Sequence, residues 1–430
     1  MSRERRGVAG GVAWRDVVRV WSYVGRMLSR ETSGGAFIPH VDGLRFMAIG
    51  SVVLYHAAGY LREKRPGGGA ETSVLHGFAE HGWFGVQLFF AISGFILALP
   101  FAAARMRRSG VLGGGTTGGS SGGGGGGSGE GMPSLRRYFL RRVTRLEPPY
   151  LINLAVCAAL VVVLAGRGWG EVWPHLLASV FYVHNIAYGE LSGMVNPVTW
   201  SLEIEVQFYI LAPWLALVYS SGSAAVRRGL IVAGVAGFSA LQYALPGDHA
   251  HRLTLAHHAH YFLVGFLLAE LHLTRWSGGA SRRWWAWDAA GLVAWVLMWW
   301  VIEWDRGMTG VFHAASPWLV FVAYGGAWRG RAWRWVFTRR WVYLVGGMCY
   351  TLYLWHPLVV SGVGRVVTGR VLPALGEGSF DRDLVVLTVV VVVGLLVAGS
   401  ALFVLTEKPF MRRDWFGRLA ARLGISGRGG

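Results

Sequence analysis

The first things this chain lacks are cysteine and lysine, with two of each in 430 residues. Cys157 and Cys349 both fall in apolar runs, so neither a disulfide framework nor a cysteine-based zinc set is available. With so little lysine, 39 of the 41 basic residues are arginine. Genomic composition explains such a bias, although guanidinium also suits phosphate and diphosphate ligands. The N-terminal 35 residues lack the continuous apolar core of a signal peptide. The chain also shows no internal repeat and no separate soluble domain. The stretch Gly113 to Gly131 has 13 glycines in 19 residues but no lysine. That excludes a Walker-type phosphate loop and leaves a flexible linker.

Charged residues make up only 15% of the chain, against 53% hydrophobic and 13% aromatic residues. A soluble domain carries more charge than this, so the composition predicts an all-α polytopic membrane protein. Apolar runs near bilayer length recur at about 44–62, 83–104, 148–165, 200–220, 229–245, 256–273, 284–302, 311–327, 341–363 and 383–406, with a shorter one at 173–187. Arginine and lysine in short loops mark the cytoplasmic side. Ten crossings with both termini cytoplasmic place 31 of the 41 cations inside, whereas an eleventh would move the basic 329–340 loop outside. The expectation is therefore ten transmembrane helices in the cell (plasma or inner) membrane, plus a re-entrant or interfacial segment at 173–187. Residues 1–35 form a cytoplasmic tail in which Trp14, Val17, Val18, Trp21, Val24 and Leu28 recur at amphipathic helical spacing. Residues 36–410 form the membrane domain, with the glycine linker 113–131 on its cytoplasmic side, and 411–430 form a second basic tail. The net charge of +18 is spread over loops between apolar spans, so it fits topology and lipid headgroups rather than nucleic acid.

Ionisable groups inside a membrane default to function. Arg45 and His56 share the first span, and eleven helical steps bring them to within roughly 20° of one face and about 16 Å apart. They mark a track with an anion-reading cation at its mouth and a proton-handling imidazole deeper in. An attacking hydroxyl must lose a proton, and imidazole titrates near working pH, so His56 is the candidate general base. Ser201, Glu205 and Tyr209 share a face at four-residue spacing, while Glu203 points elsewhere. Glu205 and His56 both fall in the outer half of the membrane and are expected to meet, the carboxylate fixing the imidazole's tautomer. His356 falls in the same layer and is a candidate to bind acceptor hydroxyls or back up His56. Arg142 and Arg145, one turn apart before Pro148-Pro149, suit paired contacts to phosphates.

Several local patterns occur in one order: Asp42-Gly43-Leu44-Arg45 with His56 eleven residues on; Phe89-Phe90-Ala91-Ile92-Ser93-Gly94-Phe95; Arg142-Val143-Thr144-Arg145; Trp200-Ser201-Leu202-Glu203-Ile204-Glu205; Tyr350-Thr351-Leu352-Tyr353-Leu354-Trp355-His356; and Glu407-Lys408-Pro409-Phe410. Together they resemble the acyltransferase-3 family of integral-membrane acyltransferases, over nearly the whole span 42–410. The resemblance implies acyl transfer from a cytoplasmic acyl-coenzyme A, with acetyl-coenzyme A the expected donor. The acceptor it implies is a hydroxyl of a glycan or small hydroxylated molecule. Under that reading His56, Glu205 and Arg45 are catalytic, Arg142 and Arg145 hold the coenzyme, and His356, Ser201 and Tyr209 meet substrate. Beyond residue 410 only a basic tail is expected, without the extracytoplasmic hydrolase-like domain that some relatives carry. Membrane lipid is an expected partner and nucleic acid is not; a homo-oligomer stays open.

Two rival classes remain. One is a proton-coupled transporter of an anionic solute that uses Arg45, His56 and Glu205, although the repeated halves common in transporters are missing. The other is the histidine-dependent membrane-bound O-acyltransferase superfamily, which lacks the Arg-x10-His start. Ser93, beside Gly94, is read as a packing residue. His249, His251, His257, His258 and His260 form a run with only Asp248 as a carboxylate, so no metal is expected.

Overall fold

A computed structural model describes residues 19, 23, 25–30, 37–66, 68–112, 133–245, 249–276, 279–303, 309–411 and 415. Asp248, the glycine linker, most of the N-terminal tail and nearly all of the C-terminal tail lie outside them.

Among the described residues every regular element is helical. The principal helices are α1 (Pro39–Lys64), α2 (Gly85–Arg108), α3 (Leu135–Ala165), α4 (Trp169–Val180), α5 (Trp200–Leu215), α6 (Ala224–Ala244), α7 (Leu255–Thr274), α8 (Trp284–Glu303), α9 (Thr309–Arg329), α10 (Arg340–Gly347), α11 (Cys349–Val366) and α12 (Phe380–Leu402). Local chemistry sets their ends. Pro39 opens α1 with Asp42 in its first turn, and the Ser379 hydroxyl accepts from the Arg382 amide to start α12.

Among the described residues six helices qualify by length and apolarity to cross a membrane, or seven if α10 and the helix after it, bent by 72°, count as one. The ten expected spans are thus matched in part. Helices α7, α8 and α9 have 20 or 21 residues, about 30 Å. Histidines lower the mean hydropathy of α7 and α9. The outer face of α12 shows what surrounds the bundle. Val389, Val393 and Val397 are 56%, 56% and 70% exposed, while Leu384, Leu387, Val391 and Leu395 face inward. A valine stripe of that kind suits hydrocarbon rather than water.

Two close crossings fix the bundle around α1 and α2. A Cβ at Gly94 would overlap the Phe262 carbonyl of α7, and one at Gly346 would overlap the Asp42 carbonyl of α1. Only glycine lets these backbones approach so closely.

The segment at 173–187 is a hairpin. Helix α4 has 12 residues, about 18 Å, too short for a core of about 30 Å. The chain turns at Tyr182, the one described non-glycine residue with positive φ (57°), and returns through His184–Tyr188. Its turn packs beside the middle of α3: Tyr150 Oη donates to the Ser179 carbonyl at 2.8 Å, and the Tyr150 and Tyr182 rings stack at 4.7 Å. Glu203 secures it from α5, accepting from the Asn185 amide at 2.8 Å.

Candidate functional site

A cavity of about 630 Å³ opens among α1, α2, α3, α5 and α11, and an arginine layer lines one part of it. Arg45 projects from the first turns of α1, Arg142 and Arg145 from adjacent turns of α3, and Arg30 from the segment before α1. Two acids organise them. Asp42 Oδ1 accepts from Arg45 Nη1 at 2.6 Å and from Arg30 Nη1 at 3.1 Å. Glu407 Oε1 lies 3.9 Å from Arg145 Nη2. Glu407 is itself fixed, since its Oε2 accepts from the Thr351 hydroxyl at 2.6 Å and the Thr351 amide at 3.2 Å. Arg142 lies over the rings of Tyr138 and Tyr209 at 5.4 and 5.3 Å. Arginines outnumber carboxylates in this layer, so it favours a polyanion.

The predicted face Ser201, Glu205 and Tyr209 lines the same cavity. Glu205 Oε1 accepts from Tyr209 Oη and from Ser93 Oγ, each at 2.5 Å. Ser93 is therefore more than a packing residue. Gly94 makes the close approach, and Ser93 turns its hydroxyl to the carboxylate. Ser201 Oγ and Tyr353 Oη are 2.8 Å apart, and Tyr353 Oη donates to the Val198 carbonyl at 2.9 Å.

The expected meeting of Glu205 with His56 needs correction. The Glu205 side chain turns toward Ser93 and Tyr209, and the partner of His56 is His356 of α11, its Nε2 3.3 Å from His56 Nδ1. Pro357 accounts for the orientation of His356. A proline inside the helix has no N–H for the carbonyl four residues back, that of Tyr353, and His356 Nδ1 donates to that oxygen at 2.7 Å. His56 Nδ1 likewise donates to the Val52 carbonyl at 2.9 Å. Carbonyls only accept, so both Nδ1 atoms carry hydrogen. His356 Nε2 then presents a lone pair to His56, and the neutral His56 ring keeps its own lone pair on Nε2. His356 is fully buried and His56 half-buried.

The cavity lining includes Phe89, Ser201 and Tyr353 but neither histidine. Phe89 and Tyr353 meet edge-on at 5.8 Å in the lining, and the Tyr353 ring lies 5.6 Å from that of His356, so Tyr353 connects the cavity lining to the histidine pair.

Sequence reasoning missed three contributions: Arg30, the carboxylate clamp of Glu407, and a second histidine pair in the hairpin, His175 Nδ1 to His184 Nε2 at 2.9 Å. The Glu407-Lys408-Pro409-Phe410 pattern was the one signal for Glu407. Nothing in the sequence pointed to Arg30. The histidines of the 249–260 run have other partners: His257 bonds Gln242 and His258 the Arg252 carbonyl. Among the described residues no three His, Cys, Asp or Glu side chains are grouped to hold a metal ion.

The family described as Acyltransferase domain, acyltransferase-3, matches residues 38–405. A Staphylococcus aureus (strain COL) protein with the provisional name O-acetyltransferase is 24% identical over 356 residues, 76% of this chain and 51% of the relative. Peptidoglycan O-acetyltransferase OatA of Listeria monocytogenes is 24% identical over 192 residues, 43% of this chain and 25% of the relative. A Bacillus subtilis protein provisionally named a peptidoglycan O-acetyltransferase, YrhL, is 24% identical over 197 residues, 44% of this chain and 25% of the relative. The chain spans about half the length, or less, of these relatives. No solved structure matches. Because the family match covers most of its length, the chain belongs to the acyltransferase-3 family.

Proposed function

We propose that this protein is a membrane O-acyltransferase that moves an acyl group, acetyl in the simplest case, from cytoplasmic acyl-coenzyme A to a hydroxyl of a cell-envelope carbohydrate. The observation that carries this reading is the pairing of His56 with His356 beyond an arginine-lined cavity. The Listeria relative, a peptidoglycan O-acetyltransferase, and the Bacillus relative, provisionally given the same name, support a glycan acceptor.

In this reading the coenzyme's phosphates rest on Arg142 and Arg145, while Arg45, braced by Asp42, steadies a phosphate or the thioester end. The pantetheine arm follows α1 past Phe89 and Tyr353. The acceptor oxygen attacks the thioester carbonyl carbon as its proton passes to His56 Nε2. The tetrahedral intermediate collapses, the C–S bond breaks, and the departing sulfur takes the proton back from the imidazolium. His356 Nε2 accepts from His56 Nδ1–H and stabilises the charge on the imidazolium. It fills the place that a carboxylate holds in a hydrolase triad. Glu205 positions Tyr209 beneath Arg142 and balances charge in the cavity, and Ser201 with Tyr353 shapes the route of the acyl group.

The topology belongs to the same proposal: ten crossings, with α7, α8, α9 and the α10–α11 bend joining the six apolar helices, both termini cytoplasmic, and the α4 hairpin re-entrant. The 329–340 arginines then stay inside.

The test is thermal stability in detergent with and without coenzyme A, beside an Arg142→Ala/Arg145→Ala variant. Ligand at a hundred times its dissociation constant adds about 2.7 kcal/mol. Stabilisation that the variant loses supports the donor site. No shift in the native protein overturns it and turns attention to anion transport.

A further inference from the structure

The family match begins at residue 38 and ends at 405, yet Arg30 before it and Glu407 after it line the cavity. Arg30 lines the cavity, 14% exposed, with Nη1 on the same Asp42 oxygen that holds Arg45. Its Nε is buried without a hydrogen-bond partner. The turn that delivers it is fastened from the other end of the chain. Lys408 Nζ donates to the carbonyls of Arg26 and Met27 at 2.8 and 2.5 Å, at the point where the short helix over 25–28 ends. Carbonyls at a helix C-terminus lack amide partners, and a cation there satisfies them. Ser29 Oγ adds a bond to the Arg26 carbonyl at 2.8 Å, and Leu28 packs against the core. Lys408 follows Glu407, whose carboxylate faces Arg145. Two consecutive residues therefore serve both sides of the arrangement, one holding an arginine of the wall and the other holding the tail.

We propose that Arg30 is a donor-binding residue, brought to the cavity by a tail strap that Lys408 latches, and that it contacts a phosphate of the acyl-coenzyme A; this rests on the donor reading above. The chemistry fits the position. Asp42 alone stands between two guanidiniums, and it occupies one of the five N–H donors of Arg30, leaving the others for a polyanion. Coenzyme A carries a diphosphate and a separate ribose phosphate. One arginine pair on α3 matches one such group, and the Arg30–Arg45 pair on Asp42 matches the other. Lys408 lies on the outer side of this arrangement and acts on the donor only through the tail.

The experiment is calorimetric titration of coenzyme A into the full-length protein in detergent, for wild type, Arg30→Ala, Arg30→Lys, Lys408→Ala and Arg142→Ala/Arg145→Ala. A charge-assisted contact to phosphate is worth about 1.5–3 kcal/mol, so Arg30→Ala weakens binding roughly tenfold or more. Arg30→Lys is expected to weaken it less. Lys408→Ala removes no cavity group and is expected to weaken binding toward the Arg30→Ala value. Wild-type binding that Arg30→Ala and Lys408→Ala both leave unchanged, while the α3 double variant loses it, overturns the strap and spares the donor reading. Absence of binding in the wild type removes the donor reading and the strap with it. Should Arg30→Ala fail to fold, Arg30→Lys and Lys408→Ala decide the matter.

Discussion

His356 Nε2 lies 3.3 Å from His56 Nδ1 across 300 residues of sequence, and a proline one position later sets the tautomer of that contact. Because Pro357 leaves the Tyr353 carbonyl without an amide, His356 Nδ1 is committed to it and Nε2 is left to accept. His56→Gln is expected to lower turnover by about 10²–10⁴-fold with coenzyme A binding intact, the scale of a lost general base. His356→Phe is expected to lower turnover by less and also to spare binding. Pro357→Ala supplies a competing amide and is expected to give a smaller loss still. Steady-state kcat beside coenzyme A affinity checks all three. Loss of binding in step with turnover would remove His56 from the chemistry.

Glu205→Gln keeps an oxygen for Ser93 and Tyr209 but removes the charge. A carboxylate beside the coenzyme's phosphates opposes them, so this variant is expected to bind coenzyme A more tightly by about 0.5–1 kcal/mol, the worth of a partly screened charge. Glu205→Ala, which strands both hydroxyls, is expected to lose stability instead. Calorimetry and thermal unfolding separate the two effects. Weaker binding by the Gln variant would contradict the charge argument.

The Phe89–Tyr353 contact, on the proposed route of the acyl group, predicts a limit on acyl length. Phe89→Ala is expected to raise turnover of butyryl- relative to acetyl-coenzyme A by opening the passage toward the histidine pair. An unchanged ratio would mean that the acyl group reaches His56 by another route.

Gly94→Ala places a methyl group on the Phe262 carbonyl and is expected to cost about 1–3 kcal/mol. Gly50→Ala on α1 meets nothing within 4 Å, so it is expected to be neutral or to stabilise by up to about 1 kcal/mol. The two thermal midpoints in one detergent are the check.

The membrane class, the helical fold and the shared face of Ser201, Glu205 and Tyr209 were legible because they are local. Apolar run length marks a candidate span, and a four-residue period sets a helix face whatever lies opposite it. The shortness of 173–187 likewise reads directly, and its first helix has 12 residues. Arginine clustering near Pro148 also reads directly, since Arg142 and Arg145 are one turn apart on the same helix. Partnership does not read this way. The sequence predicts one depth for Glu205 and His56, but a shared depth is not a contact. Helix rotation and rotamer choice instead sent Glu205 to Ser93 and left His56 to a histidine on α11. Arg30 carried no local signal, because its role depends on Asp42 twelve residues on and on Lys408 near the opposite end. One-dimensional patterns thus fixed which faces exist and which residues they carry. Only the packing of the helices decided which faces meet, because close approaches such as Gly94 on Phe262 and Gly346 on Asp42 set helix rotations that no single segment encodes.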